Sequence, residues 1–314
     1  MEAGARAEAQ GRPEITLRAP RPRYGEKIIK GLLILAAFIS IATTTGIVLS
    51  LIEETIQFFG DVPVGDFLFG TEWAPLFNPP SFGVLPLVSG TLIIAGIAML
   101  VAAPLGLGAA IYLSEYARPG VRKTVKPILE LLAGVPTVVF GYFALTFFTP
   151  EILQALFGNS IQIFNALAAG IIVGFLIIPT VASIAEDAMS AVPASLREGA
   201  FGLGGAKLQV TLRVVFPAAL SGIVASLVLA LSRAVGETMV VLIAGGQRPQ
   251  WGIRVGESME NMPAFIAATG KGDIATGSTA YKTVFAVGML LFVITLIMNL
   301  FSIRFVRKYR QVYE

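Results

Sequence analysis

The fold is decided by one stretch, WAPLFNPPSFGVLPLVSGTLIIAGIAMLVAAPLGLGAAIYLS, residues 73–114, in which no side chain is charged. A second segment, 131–185, contains Glu151 as its only charged residue. About 20 consecutive apolar residues cross a bilayer. Because a soluble core of this size does not hold two such runs, the sequence predicts an all-α, polytopic membrane protein.

The composition of the 314-residue chain agrees with this assignment. Hydrophobic residues make up 55% of it and charged residues 14%, whereas soluble domains carry about 25% charged residues. The absence of cysteine and histidine excludes thiol chemistry, disulfides, the usual zinc sites and imidazole acid–base catalysis. We therefore expect no catalytic residue, no metal or cofactor, and no nucleic-acid partner.

Six transmembrane helices are predicted by the same length criterion, within a membrane domain over 28–306. They lie near 31–52, 86–113, 127–150, 163–187, 218–245 and 283–303. Residues 1–27 are rich in Ala, Gly, Pro, Glu and Arg and predict a disordered tail, and 307–314 form a second tail. A signal peptide is the alternative for the start of the chain, but the first apolar run is too long and lacks a cleavage site.

Lysine and arginine are distributed unevenly between the two sides of the predicted membrane domain. The segments before span 1 and after spans 2, 4 and 6 carry 18 of them, and the other side carries four. Because cytosolic loops are enriched in these residues, both termini and the loop 188–217 are predicted to be cytosolic. The loops 53–85 and 246–282 are then external.

The first external loop, 53–85, carries five acidic residues, no basic residue and many aromatic ones. An aromatic belt at the membrane interface is one interpretation. A docking surface for an extracytoplasmic partner is the other. In the second external loop, the apolar piece 262–268 is predicted to form a re-entrant or interfacial helix.

The loop between spans 4 and 5 contains REGAFGLGGAKLQVTLRVVFP, residues 197–217. Apolar residues recur there at helical spacing, which predicts short amphipathic helices broken at Gly204 and Gly205. Such a helix places its apolar face in a groove of a partner, and the small Gly199 and Ala200 permit close approach. The alternative is an ordinary charged loop between spans.

Arg233 and Glu237 lie deep inside the predicted fifth span, LALSRAVGETMVVLIAGG. An arginine at mid-bilayer costs about 2.5–3.5 kcal/mol on insertion scales, so packing alone does not explain it. Spaced four apart, the two are predicted to share one helix face. Arginine offers forked donors to an oxyanion, and Glu237 weakens the site so that the anion can leave. The alternative is an ion pair that only neutralises itself.

The chain contains no G-x-x-x-x-G-K-[ST] phosphate loop, since Gly272 follows Gly270 and Lys271. It therefore does not bind ATP by that route. If transport is driven by ATP, the ATPase is a separate subunit, and this chain is a transport subunit without enzymatic activity.

The segment 198–217 resembles the EAA loop of ABC-importer permeases, which docks on the ATPase. The matching positions are Glu198, Ala200, Gly204 and Pro217. Alanine, isoleucine and leucine of that pattern are replaced by Gly199, Val214 and Phe216.

From about residue 28 onward the chain resembles PstC-type permeases of bacterial phosphate ABC importers. The matching stretches are FGVLPLVSGTL at 82–92, LGLGAAIYLSEYA at 105–117, VKPILELLAGVPTVVFGYFAL at 125–145, EDAMSAVPASLREGA at 186–200 and SRAVGETMVV at 232–241. The resemblance implies a type I ABC-importer permease fold in the inner (cytoplasmic) membrane and a role for Arg233 and Glu237 in phosphate passage. It also implies three partners: a sibling PstA-type permease forming a heterodimer, two copies of an ATPase, and an extracytoplasmic phosphate-binding protein.

Other functions remain open on the sequence. Within the ABC class, the cargo could be sulfate, molybdate or phosphonate. An ion-coupled secondary transporter using Arg233 and Glu237 is a different class, which predicts internal inverted repeats and no docking loop. A membrane anchor without a transport path is a third class, against which the intramembrane arginine argues.

Overall fold

The computed structural model describes residues 24–272 and 274–309. The chain divides into two units, 1–50 and 51–314. The described part of the first unit, 24–50, is helical throughout and belongs to α1, Tyr24–Asp61. This helix contains the predicted first span. Residues 1–23 of the predicted tail and the last residues, 310–314, lie outside the described residues, whereas residues 24–27 of that tail are helical.

The centre of the second unit is formed by α3 (Leu85–Ile111), α7 (Ala166–Ser190) and α11 (Leu220–Val235). Their buried contact is rich in alanine and small β-branched residues. A Cβ on Gly170 would lie 2.7 Å from Ile97, and one on Gly106 would lie 2.7 Å from Val181. Small residues at these positions therefore let α3 and α7 pack closely, as helices do within membranes.

A π-helical turn, Tyr112–Tyr116, extends α3. The chain then forms α4 (Pro119–Ala133), α5 (Thr137–Phe143) with π-helical turns over Ala144–Leu153, α6 (Gln154–Phe157) and a 3₁₀ turn at Gly158–Ser160. The apolar stretch suited to a membrane runs over Thr137–Ser160. The predicted third span, 127–150, is therefore wrong at its start. Pro136 ends the preceding helical stretch because it lacks a backbone donor and restricts the residue before it.

The predicted fifth span, 218–245, is not one helix. α11 ends at Val235, residues 236–238 are non-helical, and helical structure resumes at 239 and continues as the π-helical stretch Val241–Gly245. Before α11, the helical segment Lys207–Ala218 is bent by 73° relative to it. Pro217 lies at that bend, where it removes one backbone donor.

Among the described residues, five helices are long and apolar enough to cross a membrane, or six if the bent pair Lys207–Ala218 and Leu220–Val235 counts as one span. The five are Tyr24–Asp61, Leu85–Tyr116, Thr137–Ser160, Ala166–Ser190 and Thr279–Arg304. The last belongs to α13, Thr279–Tyr309. The expectation of an all-α polytopic membrane protein is confirmed.

The first external loop folds into α2 (Val64–Phe69) and a two-stranded antiparallel hairpin of β1 (Trp73–Ala74) and β2 (Ser81–Phe82). Its aromatic residues differ in burial, and Phe59 and Phe82 are intermediate. Phe58, Phe67 and Trp73 are buried in edge-to-face contacts, whereas Phe69 and Phe77 are about three-quarters exposed. The predicted helix at 262–268 is confirmed as α12, Met262–Thr269.

Candidate functional site

Glu237 lies in the non-helical break of the fifth span. Only 7% of it is exposed. Its carboxylate oxygen Oε1 accepts a hydrogen bond from the backbone N–H of Val240 at 3.2 Å. A negative charge stabilises the N-terminus of a helix, so Glu237 caps the helical stretch that begins at residue 239.

Arg233 lies in the last turn of α11 and is half-buried. Its Nη1 donates to the Thr180 hydroxyl oxygen at 3.2 Å. Among the described residues, no ion pair within 4 Å joins Arg233 to Glu237. The prediction that the two share one helix face is wrong, because Gly236 ends the helix between them. The guanidinium therefore has a neutral hydroxyl as its partner.

Thr180 lies near the middle of α7, which places Arg233 roughly midway along the 25-residue helix. At about 1.5 Å per residue, Thr180 is about 21 Å from the start of α7 and about 15 Å from its end. The charge of Arg233 is therefore at the depth where an isolated charge is most costly in a bilayer.

Asn261, at the start of α12, binds the break in the fifth span. Its Nδ2 donates to the carbonyl oxygen of Glu237 at 2.9 Å, and its Oδ1 accepts from the N–H of Ala264 at 2.8 Å. Thr91 of α3 accepts from the N–H of Met262 at 3.1 Å. The N-terminus of α12 is thereby tied to both α3 and the break. Sequence reasoning missed Asn261, although asparagine followed closely by proline is typical of a helix start.

The predicted coupling segment forms two short helices, α8 (Ala194–Gly202) and α9 (Lys207–Val210). The predicted break at Gly204 is confirmed, since this residue has φ +81°, a conformation open to glycine. Glu198, Gly199 and Gly204 are exposed and Ala200 is half-buried. Pro217 is exposed in α10, Phe216–Ala218, which follows the π-helical turns Thr211–Val215.

Large apolar side chains on the same segment are also uncovered. Leu203 is 92% exposed, and Phe201, Leu208 and Leu212 are each about half exposed. Exposed apolar groups that cluster at a helix–turn–helix mark a surface for a partner. This surface lies beyond the C-terminus of α7, at the end of the helix opposite to the contacts of Asn165 with Ala244.

Arg197 fastens α8 to the membrane helices. Its Nε and Nη2 donate to the Glu115 carboxylate oxygen Oε1 at 3.2 and 3.0 Å. Its Nη1 and Nη2 also donate to the carbonyl oxygens of Val192 and Met189. Only 19% of the Arg197 side chain is accessible. Its bonds hold α8 in place relative to α3 and α7.

A second ionic cluster joins α4 to α7. Glu186 is fully buried, and its carboxylate is bound by Arg122, by Lys126 at 2.8 Å and by the hydroxyl of Ser190 at 2.8 Å. Lys126 also binds Asp187. Burial lowers the pKa of Lys126, but its hydrogen bonds to Asp187 and Glu186 outweigh this and raise the pKa above its usual value. Lys126 therefore stays charged and holds α4 in place.

The family model described as "Binding-protein-dependent transport system inner membrane component" matches residues 102–311. The chain belongs to this family. It is thus a multi-pass inner-membrane protein and a permease subunit of an ABC transporter, a transport subunit. The matched range contains the coupling segment, Arg233, Glu237 and Asn261.

Curated relatives resemble this permease over most of its length. A probable ABC transporter permease protein, YqgH of Bacillus subtilis (strain 168), is 33% identical over 282 residues, covering 88% of this chain and 89% of the relative. The phosphate transport system permease protein PstC of Haemophilus influenzae is 31% identical over 307 residues, covering 91% and 94%. PstC 1 of Mycobacterium tuberculosis (strain H37Rv) is 33% identical over 247 residues, covering 72% and 73%.

Solved structures of ABC importers share the fold. A bacterial transporter involved in the import of the acidic polysaccharide alginate aligns with a TM-score of 0.62 at 18% identity, covering 92% of this permease and all of that chain. The inward-facing methionine transporter MetNI aligns with a TM-score of 0.53 at 20% identity, covering 73% and 95%. These likenesses bear on the fold alone, and they agree with the expected ABC-importer permease architecture.

Proposed function

We propose that this permease moves inorganic phosphate inward across the cytoplasmic membrane as one subunit of an ATP-driven importer. The observation that carries the proposal is Arg233, a half-buried guanidinium within the fifth span whose partner is a hydroxyl rather than a carboxylate. Relatives 30–33% identical to this chain carry the name of phosphate transport permeases, which supports phosphate as the cargo.

The chemistry of the pair suits a weak anion site. A guanidinium presents planar, paired donors to the oxygens of phosphate. The Glu237 carboxylate accepts a hydrogen bond from a protonated oxygen of the anion, and its charge keeps the site from holding phosphate too tightly. A conduit needs both properties, since its cargo has to leave as well as enter.

The energy comes from a separate ATPase that docks on the α8–α9 surface. The exposed Phe201 and Leu203 and the exposed Glu198 beside them fit a groove of such a partner. Because Arg197 ties α8 to α3 and α7, movement of the docked ATPase is transmitted to the membrane helices. The excess of Lys and Arg on this side supports a cytosolic location for this surface and for both termini.

The complete importer contains two permeases and two ATPase copies. This chain pairs with a sibling permease of the PstA type, and an extracytoplasmic phosphate-binding protein delivers the cargo to the opposite end. The family description itself names dependence on a binding protein.

The test is uptake of labelled phosphate in cells that lack every other phosphate importer and express the complete importer. We expect phosphate uptake that requires the binding protein and is unaffected by a hundredfold excess of sulfate or molybdate. Inhibition by one of those anions, or its uptake in place of phosphate, would assign the permease to that oxyanion. Arg233→Gln at normal protein level is the matched control and should transport none of them.

A further inference from the structure

A cavity of about 440 Å³ opens between the β1–β2 hairpin and α12. Three aromatic rings, Trp73, Phe77 and Phe265, contribute to its walls together with Gln247 and Glu260. Trp73 and Phe265 meet edge-to-face with their centroids 5.0 Å apart. Cavities of this size bind small ligands or single side chains of a partner.

Among the described residues that line this cavity, Glu260 is the titratable one. It is 5% exposed, and its carboxylate has no hydrogen bond or ion pair with any residue that the structure describes. Burial raises its pKa from 4.5 to about 7. An ionised carboxylate that is buried without a cationic partner costs free energy, so a cation that reaches Glu260 would lower this cost.

The backbone of Glu260 is packed against α3. A Cβ on Gly90 of α3 would be 2.1 Å from the carbonyl oxygen of Glu260, so the backbone of α3 and the backbone at Glu260 are in close contact. The next residue, Asn261, caps α12 and is bonded to Glu237. The backbone of Glu260 is therefore held on both sides.

An acid that lines one cavity together with aromatic rings is suited to an organic cation. The faces of Trp and Phe rings attract ammonium and guanidinium groups, and the carboxylate supplies the counter-charge. Inorganic anions are disfavoured by Glu260. A hydrated metal ion would need several oxygen ligands, and among the described residues no group of three acidic, histidine or cysteine side chains is placed so that it could hold a metal ion.

The net charge of the two predicted external loops indicates which kind of partner supplies the cation. The segments 53–85 and 246–282 together carry eight acidic and four basic residues. A neighbouring cavity of about 510 Å³ is lined by Asp61, Asp66 and Glu72, and of these Asp61 is paired with Lys282. A partner that docks here is complementary if its surface is basic.

We propose that the Glu260 cavity receives a lysine or arginine side chain of the extracytoplasmic binding protein. The family description supplies the partner, and the unpaired carboxylate in an aromatic cavity supplies the contact. The inference rests on the proposed function for the orientation of this end, and it does not depend on phosphate being the cargo.

The experiment measures docking in the absence of transport. The complete importer, in lipid nanodiscs, is titrated with its cognate binding protein, and the dissociation constant is determined for wild type, Glu260→Gln and Glu257→Gln. Glu257 is the matched control because it is on the same loop, more exposed, and already paired with Arg254 at 3.5 Å. We expect Glu260→Gln to weaken docking at least about tenfold and Glu257→Gln less than about twofold.

If Glu260→Gln lowers the yield of the importer, a small cation that competes with the binding protein tests the proposal on the wild-type importer. Ethylguanidinium at millimolar concentration should weaken docking to the wild-type importer and leave Glu260→Gln unaffected. Equal docking by wild type and Glu260→Gln would overturn the proposal. Direct binding of ethylguanidinium without any effect on docking would also overturn it, and would assign the cavity to a small free cation. Failure of phosphate as the cargo would appear only in the uptake assay.

Discussion

Asn261 donates a hydrogen bond from Nδ2 to the backbone carbonyl oxygen of Glu237 at 2.9 Å. The two residues are 24 positions apart, and one begins α12 while the other lies in the break of the fifth span. The bond connects the end of the molecule that carries the Glu260 cavity to the residue proposed to meet the anion. A shift of α12 would therefore displace the backbone of Glu237.

The substitution Asn261→Asp keeps one of the two hydrogen bonds of this side chain and removes the other. The aspartate still accepts from Ala264 and caps α12, but when ionised it has no donor for the Glu237 carbonyl. We expect uptake to fall at least about tenfold at normal protein level, because the unsatisfied carbonyl costs about 1–3 kcal/mol. Asn165→Asp is the control, since Asn165 caps α7 in the same way and does not contact Glu237. Equal uptake by both variants would contradict the role of Asn261.

Substitutions of Arg233 test whether the anion requires the forked donors of the guanidinium or only its positive charge. Arg233→Lys keeps the charge and loses the forked donors, so we expect it to lose most phosphate uptake, and Arg233→Gln to lose nearly all. Adding Glu237→Gln to Arg233→Gln should restore part of the uptake, because the repelling carboxylate is gone while the amide oxygen still accepts from Val240. Labelled-phosphate uptake is measured, with protein level determined by blot. Full uptake by Arg233→Gln would show that the anion passes elsewhere.

Gly204 has a backbone conformation that other residues rarely adopt, with φ +81°. Gly204→Val should distort the turn between α8 and α9 and abolish uptake, and Glu198→Lys should weaken docking of the ATPase. Gly199→Ala is the matched control, because Gly199 is helical with open space around it and alanine favours the helix by about 1 kcal/mol. Uptake and ATPase activity are measured together, and normal values in both Gly204→Val and Glu198→Lys would rule out α8 as the coupling helix.

Docking of the binding protein should depend on pH through Glu260, whose pKa is raised to about 7 by burial. A cation binds the ionised form, which is about 90% populated at pH 8 and about 10% at pH 6. The affinity should thus fall nearly tenfold from pH 8 to pH 6 in wild type and stay constant in Glu260→Gln. Among the described residues that line this cavity, no other is titratable, and Asp273, between the lining residues Gly272 and Ile274, lies outside the described residues. The same pH dependence in both proteins would assign it to the partner.

The orientation is tested by reporter fusions at Pro75 and at Tyr313. Pro75 is in the β1–β2 connection, and Tyr313 lies outside the described residues. We expect the two positions on opposite sides of the membrane, with Tyr313 cytosolic, because Lys and Arg favour that side. Signals from the same side would contradict both the orientation and the number of spans.

Properties that depend on neighbouring residues in the chain could be predicted from sequence. The uncharged runs identify membrane helices because hydrophobicity is local and a bilayer requires a fixed length of it. The turn at Gly204 could be predicted for a similar reason, since two adjacent glycines interrupt a helical pattern. The family resemblance rested on such local stretches, and the family match agrees with it.

Tertiary structure alone decided which groups meet. The partner of Arg233 is Thr180, 53 residues away, rather than Glu237, and the partner of Arg197 is Glu115, 82 residues away. The backbone of Glu260 meets Gly90 of α3, 170 positions earlier in the chain. No periodicity records such contacts, since they follow from how helices pack in three dimensions. The sequence thus determined that this protein spans the membrane, and the packing of its broken fifth span determined which charges remain available to a ligand.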